Sequence, residues 1–571
     1  MAEAAKIAAH RELDLHMLFA RPSKKARSTF GSARWADTTA ISEADFFANR
    51  GMVLAQTNGC YLRHDGPEHV LMVAPTRSGK GVGVVVPTLL SWTGPAIIHD
   101  IKGENWQVTA GWRSRFSHCL SFNPADVRSA HYNPLLEVRR GANEVRDVQN
   151  IADILVDPEG ALDQRSHWEK TAHAFLTGLI LHVLYAEREK TLAQVARLIA
   201  DPARPIEALL KVMLATNHLG DGTTPKVHPI VAAAARDLLN KAENERSGVV
   251  STAVSLLTLY RDPLVAEVTS RSDWRIMDLV TAKQPLSLYL VIPPSDLSRT
   301  RPLVRLILNQ IVRRLTESLD PAEIAKRRPM LLMLDEFPAL GRLDFFEGAL
   351  AFLAGYNIRA CLIAQSLNQI DKAYGINNAI LDNCHIRIVF APNDERTAKR
   401  LSEALGTATE LRAVRGLTGS RSAFWFTHSS VSEQETPRPL LTPGEILQLP
   451  KDQALIMTSG CPPIKATKLR YFEDLNFQER CLAAPVLTEG AYADAPPRAP
   501  HDWEGCCATY DARLDPEPGS NIVSIGKPKR SAKSPTVQSK QLSLLDAARD
   551  DDFDLDARPA LHPTRSMDDK S

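Results

Sequence analysis

Two short stretches of this 571-residue chain carry the side chains of phosphate chemistry. The first reads Ala74-Pro75-Thr76-Arg77-Ser78-Gly79-Lys80-Gly81-Val82 and follows an apolar run, Val70 to Val73. A strand, a small polar loop and an apolar helix start in that order form a phosphate-binding P-loop. Backbone N–H groups of the loop converge on phosphate oxygens, and the helix N-terminus adds a positive dipole end. Lys80 would reach the β- and γ-phosphates as a point charge. The stretch departs twice from G-x-x-x-x-G-K-[ST]. Ala74 replaces the first glycine, and Gly81 sits where a Mg²⁺-binding hydroxyl belongs. Thr76, Arg77, Ser78, Gly79, Lys80, Gly81 and Val82 are the candidate nucleotide-binding residues. The second stretch is Met330 to Leu334 followed by Asp335-Glu336. Carboxylates at the C-terminal end of a buried strand lie on the rim where α/β sheets bind ligands. Asp335 can hold Mg²⁺, and Glu336 can orient and deprotonate an attacking water. Gln365 ends the next apolar run, Ile358 to Ala364, and can sense the γ-phosphate or hold the water. Lys80, Asp335, Glu336 and Gln365 form the candidate catalytic set, with ATP and Mg²⁺ as the expected cofactors.

These residues need a sheet to hold them. Continuous apolar runs suit strands buried on both faces of a parallel sheet. Pro95 to Asp100, Leu286 to Ile292 and Ile386 to Phe390 add to the three runs above, and helical patterns such as Arg301 to Leu315 and Glu395 to Leu405 lie between them. Alternation of strand and helix predicts an α/β fold with a doubly wound, mainly parallel sheet.

The motifs resemble those of the TraG family, the type IV secretion coupling proteins of bacterial conjugation. The P-loop is one. Phe30-Gly31-Ser32-Ala33-Arg34-Trp35-Ala36, Asp100-Ile101-Lys102-Gly103-Glu104 and Asn133-Pro134-Leu135 are others. Leu334 to Gly341, Ala354 to Arg359, Gln365-Ser366-Leu367 and Arg438 to Thr442 complete the series, which runs in family order across about residues 30–475. The Lys-Gly pair is usual in that family. The resemblance implies a RecA-like P-loop NTPase that assembles as a homo-hexamer with nucleotide between subunits. It implies single-stranded DNA carried by a relaxase as cargo, and type IV secretion channel components as partners. It also implies work at the cytoplasmic face of the bacterial inner membrane. Protein effectors are the alternative cargo. A DNA translocase of FtsK or HerA type is a further alternative, as is a scaffold that binds nucleotide without hydrolysing it. Ring ATPases take an arginine from the neighbouring subunit, for which Arg359, Arg387 and Arg438 are candidates.

Family members usually begin with transmembrane helices. A spanning helix needs about 20 apolar residues, and no stretch here supplies them, so no membrane anchor or signal peptide is expected. The expected readings are a natural soluble form, recruitment by a membrane partner, or a shifted start codon. Residues 1–29 read as an N-terminal extension whose amphipathic part, Met1 to Phe19, is a surface or disordered helix. The net charge of +1 gives no global electrostatic attraction to nucleic acid, so DNA contact must come from local patches or a ring lumen. The eight cysteines show no metal-ligand spacing and read as reduced thiols.

The nucleotide-binding domain is expected at residues 30–139 and 280–485. Between its parts, residues 140–279 carry helical patterns only, among them Val145 to Leu155, His167 to Glu189, Leu192 to Ile199 and Ile206 to Ala215. This predicts an inserted all-α domain. Thr427 to Pro437 is polar and reads as a loop. From residue 486 to 571 Pro, Ala, Asp, Arg and Ser dominate, which predicts a disordered tail containing the vicinal Cys506-Cys507 pair. A basic cluster around Lys527 to Lys533 and a short amphipathic turn, Gln541 to Ala548, lie within that tail.

Overall fold

The apolar runs beside the two motifs lie at the centre of one sheet. The computed structural model describes residues 29–157, 160, 166–221, 223–418, 428–488, 496–497 and 500–514. The Met1 to Phe19 stretch, the Lys527 to Lys533 cluster and the Gln541 to Ala548 turn lie outside the described residues.

The strands are β1 (Met52–Thr57), β2 (Cys60–His64), β3 (Val70–Val73), β4 (Ala96–Asp100), β5 (His118–Phe122), β6 (Leu286–Val291), β7 (Met330–Leu334), β8 (Ile358–Ala364) and β9 (Ile386–Val389). After these come β10 (Thr407–Thr418), β11 (His428–Pro439), β12 (Gln453–Thr458) and β13 (Cys461–Thr467). Eleven of them form one sheet in the order β2-β1-β13-β12-β9-β3-β8-β7-β4-β6-β5. From β9 to β5 every pairing is parallel. From β12 to β2 the added strands pair antiparallel.

The central strands show why their sequences are apolar throughout. Leu71 and Val73 point into one hydrophobic cluster, and Val70 and Met72 into another on the opposite face. Met330, Leu332 and Leu334 alternate with Leu331 and Met333 in the same way. Period-2 alternation with both faces covered leaves no position for a polar residue.

The described residues between β5 and β6 include no named strand and are mainly helical. Helices span Glu144–Val156, His167–Ala186, Leu192–Ile199, Ile206–Ala215, Pro229–Asn240 and Glu243–Leu256. The long His167–Ala186 helix starts at a capping box formed by Ser166 and Glu169. Its Phe175, Leu176, Leu179, Ile180 and Val183 join the cluster that also covers one face of the sheet. No helix of the described residues is long and apolar enough to cross a membrane.

Two expectations need correction. The polar Thr427 to Pro437 stretch is not a loop over its described part, because β11 pairs antiparallel with β10 from Thr407↔Pro439 to Thr418↔His428. Its Thr and Val residues have strand propensity, which a polar composition does not cancel. Nor are the residues from 486 onward disordered throughout, since 500–514 pack on the helices. Trp503 is fully buried and donates its indole N–H to Val138 O at 2.7 Å. Lys190 Nζ holds Cys506 O at 2.7 Å, Ala508 N–H donates to Tyr185 O at 2.8 Å, and Asp511 N–H donates to Ala215 O at 2.7 Å. One large aromatic and a few backbone hydrogen bonds order a segment whose composition is that of a tail.

Candidate nucleotide site

The strand order builds the site. β8 lies between β3 and β7, in register Val73↔Ala364 and Leu334↔Leu362. The P-loop after β3, Gln365 after β8 and Asp335-Glu336 after β7 therefore emerge side by side on one rim of the sheet. Ala74 N–H donates to Ala364 O at 2.9 Å and extends the ladder into the first P-loop residue.

The loop turns tightly. Arg77 takes φ 61° and Gly79 φ 90°, and Ser78 Oγ donates to Pro75 O at 2.6 Å. Thr76 and Arg77 are exposed at its tip, while Ser78, Gly79, Gly81 and Val82 are half-buried. The helix begins at Lys80, with Gly83 N–H donating to Gly79 O at 2.8 Å. Its first turn, Gly81–Val85, is π-helical and Val86–Ser91 continues as α-helix. A Cβ at Gly81 would meet nothing within 4 Å, so the missing hydroxyl is not a steric exclusion.

Lys80 crosses the rim to the acidic pair. Its Nζ lies 2.7 Å from Asp335 Oδ1 and 3.0 Å from Glu336 Oε2. Burial works against the ammonium charge, but the two carboxylates outweigh it and hold the Lys80 pKa above the usual lysine value. Glu336 occupies the left-handed region at φ 54° and leads into the Phe337–Leu340 3₁₀ turn. A non-glycine residue there costs of order 1 kcal/mol or more and persists because its surroundings impose it. Two anchors are visible. Buried His99 donates its Nδ1–H to Asp335 O at 2.6 Å, and Phe337 is buried and stacks on Tyr374 with centroids 5.2 Å apart.

Asp100, at the end of β4 beside β7, deepens the negative field. Burial raises its pKa to about 6, against the hydrogen bond from Trp106 N–H, and the Asp335 charge raises it further. Lys468, which follows β13, adds a second ammonium on the P-loop, donating to Ser78 O at 3.1 Å. Gln365 is half-buried, and its own N–H donates to Gln369 Oε1 at 3.0 Å.

The candidate arginines are occupied within this chain. Arg359 is the second residue of β8, at the end remote from the rim, and pairs with Asp65 at 2.9 Å. Arg387 donates to Leu381 O at 3.0 Å, and Arg438 pairs with Glu445 at 2.7 Å. Sequence reasoning missed His99 and Lys468. A histidine inside an otherwise apolar strand was the available signal for the first. Lys468 lies in an ordinary charged stretch and gives none.

Comparison with known proteins decides the family. Residues 23–493 match the family described as type IV secretory system conjugative DNA transfer. The chain belongs to that family. Among its relatives is the conjugal transfer protein TraG of Escherichia coli, 41% identical over 523 residues, covering 83% of this chain and 81% of TraG. VirD4 of Agrobacterium fabrum is 31% identical, covering 81% of this chain and 70% of VirD4. The fold matches that of the plasmid coupling protein TrwB in complex with ADP and Mg²⁺. The TM-score is 0.56 at 17% identity, over 78% of this chain and 96% of TrwB. TrwB has also been captured with a non-hydrolysable ATP analogue. The chain thus shares the RecA-like fold of TrwB and the membership of the TraG and VirD4 coupling proteins.

Proposed function

We propose that this coupling protein is an ATP-hydrolysing motor that links relaxase-bound single-stranded DNA to a type IV secretion channel and drives conjugative transfer. The observation that carries the reading is Lys80 bridged to Asp335 and Glu336 across the rim where β3, β8 and β7 end. ATP is the nucleotide and Mg²⁺ its metal. Among the described residues no group of three or more His, Cys, Asp or Glu is arranged to hold a metal ion. The oxygen donors at the rim fit a hard cation that keeps waters and takes phosphate oxygens as well, which is how Mg²⁺ is usually bound. The buried Asp335 Oδ1, held by an ammonium that a phosphate can draw away, is the residue's contribution to that shell. When bound, Mg²⁺ neutralises charge on the phosphates.

The residues then divide the work. Lys80 exchanges its carboxylate partners for phosphate oxygens. Glu336, released from the ammonium, accepts a proton from the attacking water. Gln365, between the two motifs, orients that water or reads the γ-phosphate. His99 keeps the Asp335-Glu336 backbone in place. Residues 30–139 and 280–485 form the nucleotide-binding domain and 140–279 the all-α insertion that receives cargo. A homo-hexamer at the cytoplasmic face of the inner membrane, reached through partners, is the working assembly. The reading is tested by nucleotide binding to wild type and Lys80→Ala. Tight ATP binding by wild type and its loss in the folded variant support it, and equal affinity in the two overturns it.

A further inference from the structure

The two lysines at the P-loop are held in opposite ways. Lys80 is paired with two carboxylates. Lys468 has no carboxylate within ion-pair distance among the described residues. Its Nζ donates to Ser78 O at 3.1 Å and stands 3.8 Å from the centroid of the Phe390 ring. Both partners are neutral and electron-rich, so its charge is stabilised but not cancelled.

The position is built by several contacts. Lys468 N–H donates to Asp452 O at 2.7 Å, and Phe390 N–H donates to Val73 O at 3.0 Å, which fixes the ring beside the P-loop strand. A Cβ on Gly83 would come within 3.0 Å of Leu469 O, so the chain after β13 lies directly on the P-loop helix. The consequence follows from peptide geometry. In a planar trans peptide the C=O and the following N–H point in opposite directions. A cation that holds Ser78 C=O outward turns Gly79 N–H inward, toward the concavity where phosphate oxygens bind. It also polarises that peptide and strengthens the N–H as a donor.

We infer that Lys468 is a positioning residue of the nucleotide site, aiming Gly79 N–H at the phosphates through the Ser78–Gly79 peptide and coupling its own proton to polyphosphate binding. The inference rests on the nucleotide reading above. Its charge state supports it: burial lowers the Lys468 pKa to about 8, with Asp452 pulling weakly the other way. The other charged groups on the surrounding elements are engaged or distant in role. Arg77 is exposed at the loop tip, Lys451 is exposed on the turn beside Asp452, Arg470 pairs with Glu473, and Asp394 beyond Phe390 is held by Asn368. A polyphosphate accepting from Gly79 N–H makes Ser78 O a better acceptor and adds negative charge nearby. Both raise the proton affinity of Lys468, so binding takes up a proton near pH 8 and weakens as pH rises through that value.

The test is titration calorimetry of a non-hydrolysable ATP analogue with Mg²⁺ in two buffers of different ionisation enthalpy. Lys468→Arg keeps the charge but does not titrate in this range. Lys468→Met removes the charge, and thermal unfolding confirms that it is folded. Wild type should take up to about half a proton per nucleotide at pH 8 and lose up to about tenfold in affinity from pH 7 to pH 9. Lys468→Arg should lose that proton uptake while binding more tightly at pH 7 than Lys468→Met, which should bind on the order of tenfold more weakly than wild type. Equal proton uptake in wild type and Lys468→Arg, or unchanged affinity in folded Lys468→Met, overturns the inference and leaves the nucleotide site standing. Absence of binding by wild type overturns both.

Discussion

Acid should loosen the helices between β5 and β6 through one pair of histidines. His182 and His218 are buried, and His182 Nδ1 lies 3.0 Å from His218 Nε2. His218 Nδ1 accepts from His228 N–H at 3.3 Å, which leaves the proton of neutral His218 on Nε2 to donate to His182 Nδ1. A proton added to either ring sets two donors face to face. Burial, reinforced for His182 by Arg204 and for His218 by the neighbouring histidines, lowers the pKa values to about 4 and about 3. The unfolded chain has ordinary histidines near 6.5. Below that value it binds protons that the folded state refuses, so stability is full above about pH 6.5 and falls as the pH drops toward 4. At pH 5 each histidine costs about 2 kcal/mol, a large share of the 5–15 kcal/mol that typically separates folded from unfolded. At that pH the folded pair still holds no added proton, so the two contributions add. The assay is hydrogen exchange by mass spectrometry over 167–186 and 206–240 at pH 7.5 and 5.0, corrected for intrinsic rates, with His182→Gln/His218→Gln as control. Protection there should fall in wild type and fall less in the double variant. Identical losses in both would refute the argument.

Other outcomes follow from single contacts. Trp503→Ala should cost roughly 3–5 kcal/mol, seen as a lower thermal midpoint, and expose 500–514 to limited proteolysis, whereas Trp503→Phe should keep most of the packing; an unchanged cleavage pattern in Trp503→Ala would contradict the docking. Gly81→Ser should fold at least as stably as wild type, since serine is a better helix residue and nothing obstructs its Cβ. Its hydroxyl should lower the Mg²⁺ concentration needed for half-maximal nucleotide binding, and an unchanged Mg²⁺ dependence would show that the shell is completed elsewhere. His99→Leu should lower turnover with little change in nucleotide affinity, because it frees the Asp335-Glu336 backbone without touching the P-loop; loss of affinity alone would contradict that assignment.

The parts of the fold that were legible are those in which one local signal sufficed. Val70–Val73, Met330–Leu334 and Ile358–Ala364 were bounded correctly because strands buried on both faces must be apolar at every position. Leu192–Ile199 and Ile206–Ala215 were bounded equally well by their 3.6-residue spacing and the prolines around them. The antiparallel additions were not: β2 and β13 are half-exposed strands whose Arg63 and Lys465 make them look like loops, while β1 and β12 carry short buried apolar runs, Met52 to Ala55 and Ala454 to Ile456, a signal that went unread. The β10–β11 ribbon failed because its sequence is polar, with no apolar alternation to mark a strand. Within the site, Lys80, Asp335, Glu336 and Gln365 are readable as motif residues, and the strand order brings them to one rim. His99 and Lys468 act through backbone carbonyls of residues 236 and 390 positions away, and no spacing rule reaches that far.

The most direct test of the motor is ATP turnover by the purified chain with and without single-stranded DNA, alongside Glu336→Gln. The account predicts turnover that DNA stimulates and that the folded variant loses by at least about a hundredfold, as expected when a general base is removed. Turnover in Glu336→Gln equal to that of wild type would contradict it.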